Sequence, residues 1–442
     1  MGIRLWIWRS GLLLLAGLAA WAAIGSGLGA HFAKRLGDGD GDVLPLLRSW
    51  QPGHPEGLLR EGAQLPVDST QSALLLEKAY RLDPSDARSL LFLARRAELQ
   101  GELERSDAFI ALATELAPAM ASVHTQAAAY WARRRQYSRM VTHLVRALEA
   151  DADARSELFP VLLQVAETPD LRHLLEPLGS APPSWWNAFF PRASRKLRDL
   201  EALRFLYGTR RDSPKDPFSD AERTAYVERL LREGLTGEAY LIWVSGLGKA
   251  ERSQLGLLFN GGFELPLAEQ GFGWRIAKSK HFSARLGATY GMTGSRALQV
   301  RFRRHTRRFR HVSQRLYLDA GVYRLRGRAR PDGLRSKGGL RWAVHCVAPE
   351  ATVLGEGPRL LGAAEWTRFE MRFEVPGQCE QQLLRLESAG ERRFEWPVDG
   401  EIWFDVLEIV RSPELDVKAR ADAISRAKTS THGGPSYEER AP

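Results

Sequence analysis

The strongest constraint on this chain is an uninterrupted apolar run close to its N-terminus. Residues Ser10–Ala30 carry no charged side chain over 21 positions and are rich in leucine and alanine. A helix of this length measures roughly 31 Å, which matches the apolar core of a bilayer. Backbone groups inside that core must be hydrogen-bonded within the segment, so the run is predicted to be a transmembrane helix.

The charges beside the run predict its orientation. Arg4 and Arg9 precede it, and positive residues are retained on the cytoplasmic side. We therefore interpret residues 1–30 as a signal anchor that crosses a bacterial inner membrane once and leaves the bulk of the chain in the periplasm. A cleaved signal peptide is the alternative, because residues 25–27 offer small side chains to a peptidase, and it would release a secreted protein.

The segment after the anchor has the composition of a linker. Residues 37–42 alternate glycine and aspartate, and prolines 52, 55 and 66 follow. Such stretches disfavour regular structure, so residues 31–66 are predicted to be a flexible linker.

A 34-residue repeat organises the next part of the chain. Small, apolar and terminating positions recur at this interval: Ser72, Leu76, Ala79 and Pro84 return as Ser106, Ile110, Ala113 and Pro118. Small residues let the helices of a hairpin approach closely, and proline ends the second helix. Residues 87–120 resemble a tetratricopeptide repeat. The resemblance implies a helical domain over residues 67–255 that holds a protein partner and performs no catalysis.

Beyond Leu255 the hydrophobic pattern changes to a period of two, with frequent glycine and proline. It predicts strands at Arg296–Arg303, His311–Leu318, Gly321–Ala329, Leu340–Cys346, Thr367–Val375, Gln382–Ser388 and Glu401–Val410. Residues 256–411 are thus expected to form an antiparallel β-sandwich of the jelly-roll type. Residues 412–442 are expected to be a disordered tail.

Motifs along this region carry a family resemblance. Leu258–Glu264, the pair Gly273-Trp274, Gly294–Val300, Gly321–Tyr323 and Glu401–Asp405 occur in the order found in jelly-roll carbohydrate-binding modules. The resemblance implies a glycan-binding domain. The helical half is similar to proteins associated with bacterial extracellular-polysaccharide gene clusters.

The same resemblance implies a structural Ca²⁺ ion. Glu264 and Asp405 stand where the family commonly supplies carboxylate ligands, which suit a hard cation. Val406 departs from the pattern, because many members carry a second aspartate there. The alternative is that Glu264 and Asp405 pair with arginines.

The two cysteines, Cys346 and Cys379, both lie in the β region. They are too few for a four-ligand zinc site, and export favours oxidation. We predict a disulfide between them, with two buried thiols as the alternative.

Positive charge is concentrated in the same region. Between Arg296 and Arg341 there are 15 basic residues and two acidic ones. Alternate arginines on a strand project from one face, and their planar forks suit carboxylate, sulfate and phosphate groups. The candidate ligand-binding residues are Arg301, Arg303, Arg324, Arg326, Arg328 and Arg341. The alternative is a solvated face balanced by Glu370, Glu374 and Glu387.

Four tryptophans of the region, Trp274, Trp342, Trp366 and Trp403, could stack on sugar rings, although Trp342 and Trp403 alternate with apolar neighbours and are expected in the core.

These features favour a non-enzymatic, membrane-anchored scaffold that supports assembly or export of a cell-surface polysaccharide. The β domain would contact an acidic glycan, and the helices a protein. Phosphate-binding loops, zinc spacings and nucleophile motifs do not occur in the sequence. The alternatives are a glycoside hydrolase and a jelly roll that binds only protein. Nucleic acid is not expected, because the basic domain is exported.

Overall fold

The computed structural model describes residues 2–211, 213, 217–267 and 269–412. The chain divides into two compact units, one of residues 1–189 and 196–217 and the other of residues 190–195 and 218 onwards. The first unit is helical, and the second contains two antiparallel sheets. The predicted class, helices followed by a β-sandwich, is confirmed. The predicted tail lies outside the described residues from residue 413 on.

The N-terminal apolar run forms part of α1 (Gly2–Gly37). Its stretch Gly11–Gly37 is long and apolar enough to cross a membrane, judged by length and composition. Large apolar side chains on it, such as Leu13 and Trp21, are exposed. A signal sequence has the same properties, so the anchor and its cleaved alternative both stay predictions.

The prediction of a flexible linker over residues 31–66 is wrong. This segment contains the end of α1 and two further helices, α2 (Leu44–Trp50) and α3 (Pro55–Gln64). Proline was interpreted as a helix breaker, but Pro55 occupies the first turn of α3, where its missing N–H costs nothing. Apolar residues at helical spacing then bury the segment: Leu47 packs with Leu36, and Leu59 with Leu76.

The 34-residue period corresponds to a series of helical hairpins. After α3 the chain forms α4 (Thr70–Leu82), α5 (Ala87–Leu99), α6 (Leu103–Leu116), α7 (Ala121–Arg133) and α8 (Tyr137–Ala150). Helices α5 and α7 begin 34 residues apart, and so do α6 and α8. Each first helix packs against the second: α3 on α4, α5 on α6 and α7 on α8.

Buried serines recur with the repeat and tie each hairpin together. The Ser72 hydroxyl donates to the Gly62 carbonyl at 2.8 Å, and the Ser106 hydroxyl donates to the Ala94 carbonyl at 2.7 Å. In both cases a helix bonds to a carbonyl of the preceding helix, which only a small residue at a close approach permits. The period is thus structural, while membership of the tetratricopeptide family stays a prediction.

The remaining helices of the first unit are α9 (Arg155–Glu167), α10 (Glu176–Ser180), α11 (Trp186–Lys196, which enters the second unit) and α12 (Leu200–Arg211). The aromatic residues at the start of α11 belong to the apolar core of the helices. Trp185, Trp186 and Phe189 are buried, and Phe159 contacts Trp185 and Phe189.

The second unit begins with α13 (Asp220–Arg232), α14 (Thr236–Ser245) and the short α15 (Lys249–Arg252). Ten strands follow in the described part of the chain: β1 (Trp274–Ile276), β2 (Phe282–Gly287), β3 (Ala297–His305), β4 (Val312–Leu316), β5 (Gly321–Ser336), β6 (Leu340–Ala348), β7 (Thr352–Glu356), β8 (Thr367–Val375), β9 (Gln381–Ser388) and β10 (Val398–Arg411). Seven of them were predicted. The alternating hydrophobic pattern did not predict β1, β2 and β7, which are short or half-exposed.

The strands form two five-stranded sheets. Sheet A has the order β1-β4-β9-β6-β7, and sheet B has the order β2-β3-β10-β5-β8, with antiparallel neighbours throughout. Alternate side chains of both sheets meet in one apolar core, which includes Trp274, Trp342, Leu325 and Phe404.

Helices of the second unit cover the outer face of sheet A. Glu228 on α13 pairs with Arg275 and, at 3.4 Å, with Arg315. Tyr240 on α14 packs against Tyr317 with ring centroids 5.2 Å apart. Sheet B is left with its outer face toward solvent. The predicted domain boundary between residues 255 and 256 stays a prediction.

A disulfide joins Cys346 at the end of β6 to Cys379 before β9. Their Cα atoms are 5.8 Å apart, and the bond closes a loop across 33 residues of sequence separation. It therefore links the two strands that form the middle of sheet A.

Replacing both cysteines, C346A together with C379A, should lower the free energy of unfolding of the β-sandwich by about 3–4 kcal/mol, because the unfolded chain regains the entropy of a loop of this length. Chemical denaturation followed by tryptophan fluorescence measures the change. Reduction of the unmodified protein should give the same shift. An unchanged midpoint in both experiments would contradict the assignment.

Candidate ligand-binding face

The outer face of sheet B carries the row of arginines. On β5, buried Leu325 and Ala329 alternate with Arg324, Arg326, Arg328 and Arg330, which point away from the core. The pairing of β5 with β10 and with β8 places this row near the centre of the sheet. The predicted common face of the arginines is therefore present.

Two arginines of this row have carboxylate partners. Arg324 lies 3.4 Å from Glu370 on β8, and Arg326 donates two hydrogen bonds to Glu408 on β10, at 2.9 and 2.7 Å. All four side chains are about half exposed. The alternative of a balanced, solvated face thus describes this half of the row. Glu370 balances an arginine, as that alternative expected, and Glu408, which was not expected to, balances another.

Arg301 and Arg303 lie on the same face but farther along the sheet. Both are exposed on β3, which is separated from β5 by β10. Arg301 pairs with Glu401 at 2.7 Å. Burial raises the pKa of Glu401, but hydrogen bonds from Arg301, Trp403 and Gln299 outweigh it and leave that pKa below its usual value. This carboxylate is therefore ionised and neutralises Arg301.

Arg328 and Arg330 differ from their neighbours in having no carboxylate within 4 Å in the described chain. Arg328 donates to the Thr293 hydroxyl at 2.9 Å and to the Gly291 carbonyl at 3.0 Å. Arg330 donates to the Thr289 hydroxyl at 2.6 Å. Uncharged partners orient these guanidinium groups, and the charge of Arg328 acts at longer range on Asp405, its cross-strand neighbour on β10.

Two tryptophans enclose this pair of arginines. The Arg328 guanidinium lies 5.1 Å from the centre of the Trp366 ring, and Arg330 lies 6.0 Å from Trp366 and 5.8 Å from Trp403. Cations at these distances interact favourably with the ring faces. Trp366 also donates to the Tyr290 carbonyl at 2.7 Å. These contacts orient Trp366 and the two guanidinium groups relative to one another.

Trp403 was expected in the core, but it lies on the outer face of sheet B. It is buried there, while its neighbours Ile402 and Phe404 point into the core. Arg330 covers it from the solvent side.

An open groove of about 960 Å³ runs over this part of sheet B. Its lining combines cations, an aromatic ring and carboxylates: Thr293, Arg326, Gly327, Arg328, Trp366, Arg368, Phe369, Glu370, Val406 and Glu408. Arg368 is exposed and, like Arg328, pairs with no carboxylate in the described residues. The groove accommodates several sugar rings by volume and offers them an aromatic side and two guanidinium groups, those of Arg328 and Arg368, that have no carboxylate within 4 Å in the described residues.

Val406, on the groove wall, has a strained backbone. Its φ is 51°, in the left-handed region that β-branched residues avoid. The strand pairing shifts register between Asp405 and Glu408 at this point, as in a β-bulge. A strained backbone persists only where the surrounding structure holds it in place, and such residues are often found at functional sites.

Arg341, the sixth candidate, does not belong to this face. It lies on β6 of sheet A, where it approaches Glu356 and lies 3.7 Å from Glu387. Hydrogen bonds from His345 and Arg385 to Glu387 complete this cluster. Burial raises the pKa of Glu387, but those bonds and the neighbouring charges outweigh burial and bring it to about 2. Sequence alone gave no means of assigning β6 to the other sheet.

Glu264 and Asp405, the predicted calcium ligands, both hold the loop that follows β2. Glu264 accepts hydrogen bonds from Ser295, including the backbone N–H at 2.9 Å, and Asp405 accepts from the Thr293 N–H at 2.6 Å. Burial raises the pKa of Asp405, and the charge of Glu264 adds to the rise. Hydrogen bonds from the N–H groups of Thr293 and Val406 and the charge of Arg328 lower it but do not outweigh burial.

This donor set fits calcium poorly as it stands. N–H and O–H groups already engage the oxygens of both carboxylates, whereas Ca²⁺ needs oxygen ligands on that side. Within the described residues no group of three or more His, Cys, Asp or Glu side chains could hold a metal ion. Calcium binding stays a prediction, and nothing proposed below depends on it.

Sequence reasoning identified only part of the groove. Trp366 was named as one of four tryptophans that could stack on sugar rings, but its place beside the arginines was not predicted. Arg330, which lies beside the groove, continues the alternation of β5 but was not among the candidate ligand-binding residues. Arg368 comes from a segment with no motif, and the loop of residues 288–295 reaches the face only through tertiary hydrogen bonds.

No family model matches the chain, and no curated protein matches its sequence. Among solved structures, the sandwich is similar to TmCBM61 in complex with beta-1,4-galactotriose: 19% identity, 36% of this chain and 99% of that one covered, TM-score 0.26. It is also similar to the C-terminal family 22 carbohydrate binding module of Clostridium thermocellum Xyn10B, with 13% identity, coverage of 34% and 91%, and a TM-score of 0.25. A CBM4 module is 14% identical, with coverage of 35% and 99% and a TM-score of 0.26. The function proposed below rests on the groove itself.

Replacing Val406 by asparagine should raise the free energy of unfolding by about 1 kcal/mol, because asparagine tolerates the left-handed conformation that strains valine. V406I retains the β-branch and should give no gain. Thermal unfolding of the three proteins checks this. Equal midpoints for V406N and V406I would show that this backbone is unstrained.

E387Q should lower the free energy of unfolding at pH 7 by about 3 kcal/mol. A carboxyl whose pKa falls from about 4.5 to about 2 on folding stabilises the fold above pH 4.5, and that contribution disappears as the pH falls toward 2. Urea denaturation across this range measures the loss. E356Q, which changes a more exposed partner of Arg341, should cost less. A pH-independent difference would contradict the assigned pKa.

Proposed function

We propose that the β-sandwich binds an acidic polysaccharide in the groove on sheet B. One observation carries the proposal: Arg328 has no carboxylate within 4 Å, is oriented by hydrogen bonds to uncharged groups, and lies on the ring of Trp366 at the groove wall. The protein would act as a membrane-anchored, non-enzymatic binding protein in the assembly or export of a cell-surface polysaccharide.

The chemistry of the groove favours an anionic sugar over a neutral one. Neutral sugars are bound by aromatic stacking and by hydrogen bonds to amides and hydroxyls. Here the polar wall consists of arginines, and a guanidinium fork matches the two oxygens of a uronate carboxylate. Arg328 and Arg368 are the groups from which a ligand carboxylate would gain most, since no carboxylate of the described residues lies within 4 Å of either.

The glutamates of the groove support binding over hydrolysis. A glycosidase needs one carboxyl group to donate a proton and another to act as base or nucleophile. Glu370 and Glu408 are instead held by Arg324 and Arg326. Their arrangement orients the arginine row, and we assign them that role.

The remaining parts of the chain suit a tethered scaffold. The helical hairpins of the first unit would hold a protein partner, as the tetratricopeptide resemblance implies, and α1 would hold the chain at the periplasmic face of the membrane.

The test measures binding of the full-length protein, held in nanodiscs of neutral lipid, to polygalacturonate and to uncharged dextran over a salt series. We expect binding to polygalacturonate that weakens with salt and no binding to dextran. R328A and W366A should each weaken it about tenfold or more, the value of one charge-assisted hydrogen bond or stacking contact.

R372A is the matched control. Arg372 lies on the same face of β8 but outside the groove, so its removal changes the charge of the face equally and should reduce binding less than twofold. Equal losses of affinity in R328A and R372A would show that the polysaccharide is attracted only by the general positive charge of this face. No binding to any acidic polysaccharide would favour a sandwich that binds only protein, and cleavage of the polymer would favour the hydrolase alternative.

A further inference from the structure

One end of the sandwich, distinct from the groove, gathers a second set of positive charges. The turns after β3, after β5 and before β10 meet there, because His305 and Ser336 both pair with Val398. Asp399 fastens two of the turns: it accepts from the Arg304 N–H at 3.1 Å and from the Arg335 guanidinium at 2.7 Å.

We name this surface the basic end. It consists of exposed residues only: Arg304, Arg307, Arg308, Arg310, Arg335, Lys337, Arg392 and Arg393. Acidic residues offset part of it: Asp399 pairs with Arg335, Glu387 lies 4.0 Å from Arg308, and Glu395 is close enough to Arg392 for their charges to interact. Within the described residues, Arg304, Arg307, Arg310, Lys337 and Arg393 have no carboxylate within 4 Å. A concentration of this kind favours an anionic partner.

An apolar ring stands among these cations. Phe394 is 57% exposed, and the Lys337 ammonium group lies 5.7 Å from the centre of its ring. Arg392 and Arg393 precede it directly in the chain. An exposed aromatic ring surrounded by lysine and arginine side chains matches a lipid headgroup layer, in which the ring enters the acyl boundary and the cations remain at the phosphates.

We propose that the basic end docks on an anionic phospholipid surface. The surface is built from turns and presents its ring outward, whereas the groove proposed to bind glycan lies on the outer face of sheet B. The same chain carries a helix long and apolar enough to cross a membrane, so a lipid surface would be available at high effective concentration. The proposal does not rest on glycan binding and can fail or succeed independently of it.

A single fluorescent label tests the docking in the full-length protein. Cys346 and Cys379 are bonded to each other and are the only cysteines of the sequence, so F394C provides one reactive thiol. An environment-sensitive fluorophore on this residue is compared in nanodiscs of phosphatidylcholine and in nanodiscs that also contain phosphatidylglycerol. Tyr290, 85% exposed on the loop beside the groove, supplies the control label as Y290C.

We expect the label at residue 394 to become several-fold brighter and blue-shifted in the phosphatidylglycerol discs, and to lose this change at high salt. The label at residue 290 should not respond. Replacing Arg307, Arg310 and Arg393 by alanine should abolish the response, whereas the same number of replacements on the outer face of sheet B, at Arg326, Arg368 and Arg372, should leave it intact.

Equal signals at residue 394 in the two lipids would overturn the proposal. So would a response that groove and basic-end replacements reduce equally, since this would indicate general charge attraction. A response in phosphatidylcholine discs that appears only when polygalacturonate is added would assign the basic end to the polysaccharide instead of the lipid.

Discussion

The pairing of β5 with β10 at the middle of sheet B determines which side chains of the sandwich reach solvent. The two strands are paired from Tyr323 opposite Arg411 to Ser336 opposite Val398. This register determines which side chains of each strand face the core and which face solvent. Leu325 and Ala329 enter the core with Phe404, and the arginines between them must point outward. A slip by one residue would bury the arginine row and expose the core, so register and charged face are specified together.

Like charges aligned on one strand repel, and the structure resolves this in two ways. At one end of the row, glutamates from the neighbouring strands neutralise Arg324 and Arg326. At the other end, Arg328 and Arg330 are held by tryptophan rings and by neutral oxygen atoms. The second arrangement leaves the guanidinium groups of Arg328 and Arg330 half-buried and already oriented. An anionic ligand would bind them more tightly, because little side-chain entropy is lost when it binds. We call these two arginines and Trp366 the platform. The strained Val406 and the loop fastened by Glu264 and Asp405 border the same platform.

The sequence predicts the parts of this fold that depend on local periodicity. Alternation located β3, β8 and β10 within a few residues and the start of β5, which continues seven residues beyond the predicted end, and the 34-residue interval located the hairpins. Partners distant in sequence were not predictable in the same way. Arg341 carries the same alternation as Arg324 but belongs to sheet A, because strand order is decided by pairing across more than forty residues. Trp366 reaches the arginines from a segment without a motif. Residues 31–66 were misjudged because proline begins a helix as readily as it ends one.

The central claim, that an anionic sugar occupies the groove of sheet B, is tested most directly by a crystal structure of the protein with a bound oligogalacturonate. The account predicts a sugar ring beside Trp366 and a ligand carboxylate within hydrogen-bond distance of Arg328. Electron density for the sugar on sheet A or only at the basic end, or an empty groove at saturating ligand, would contradict it.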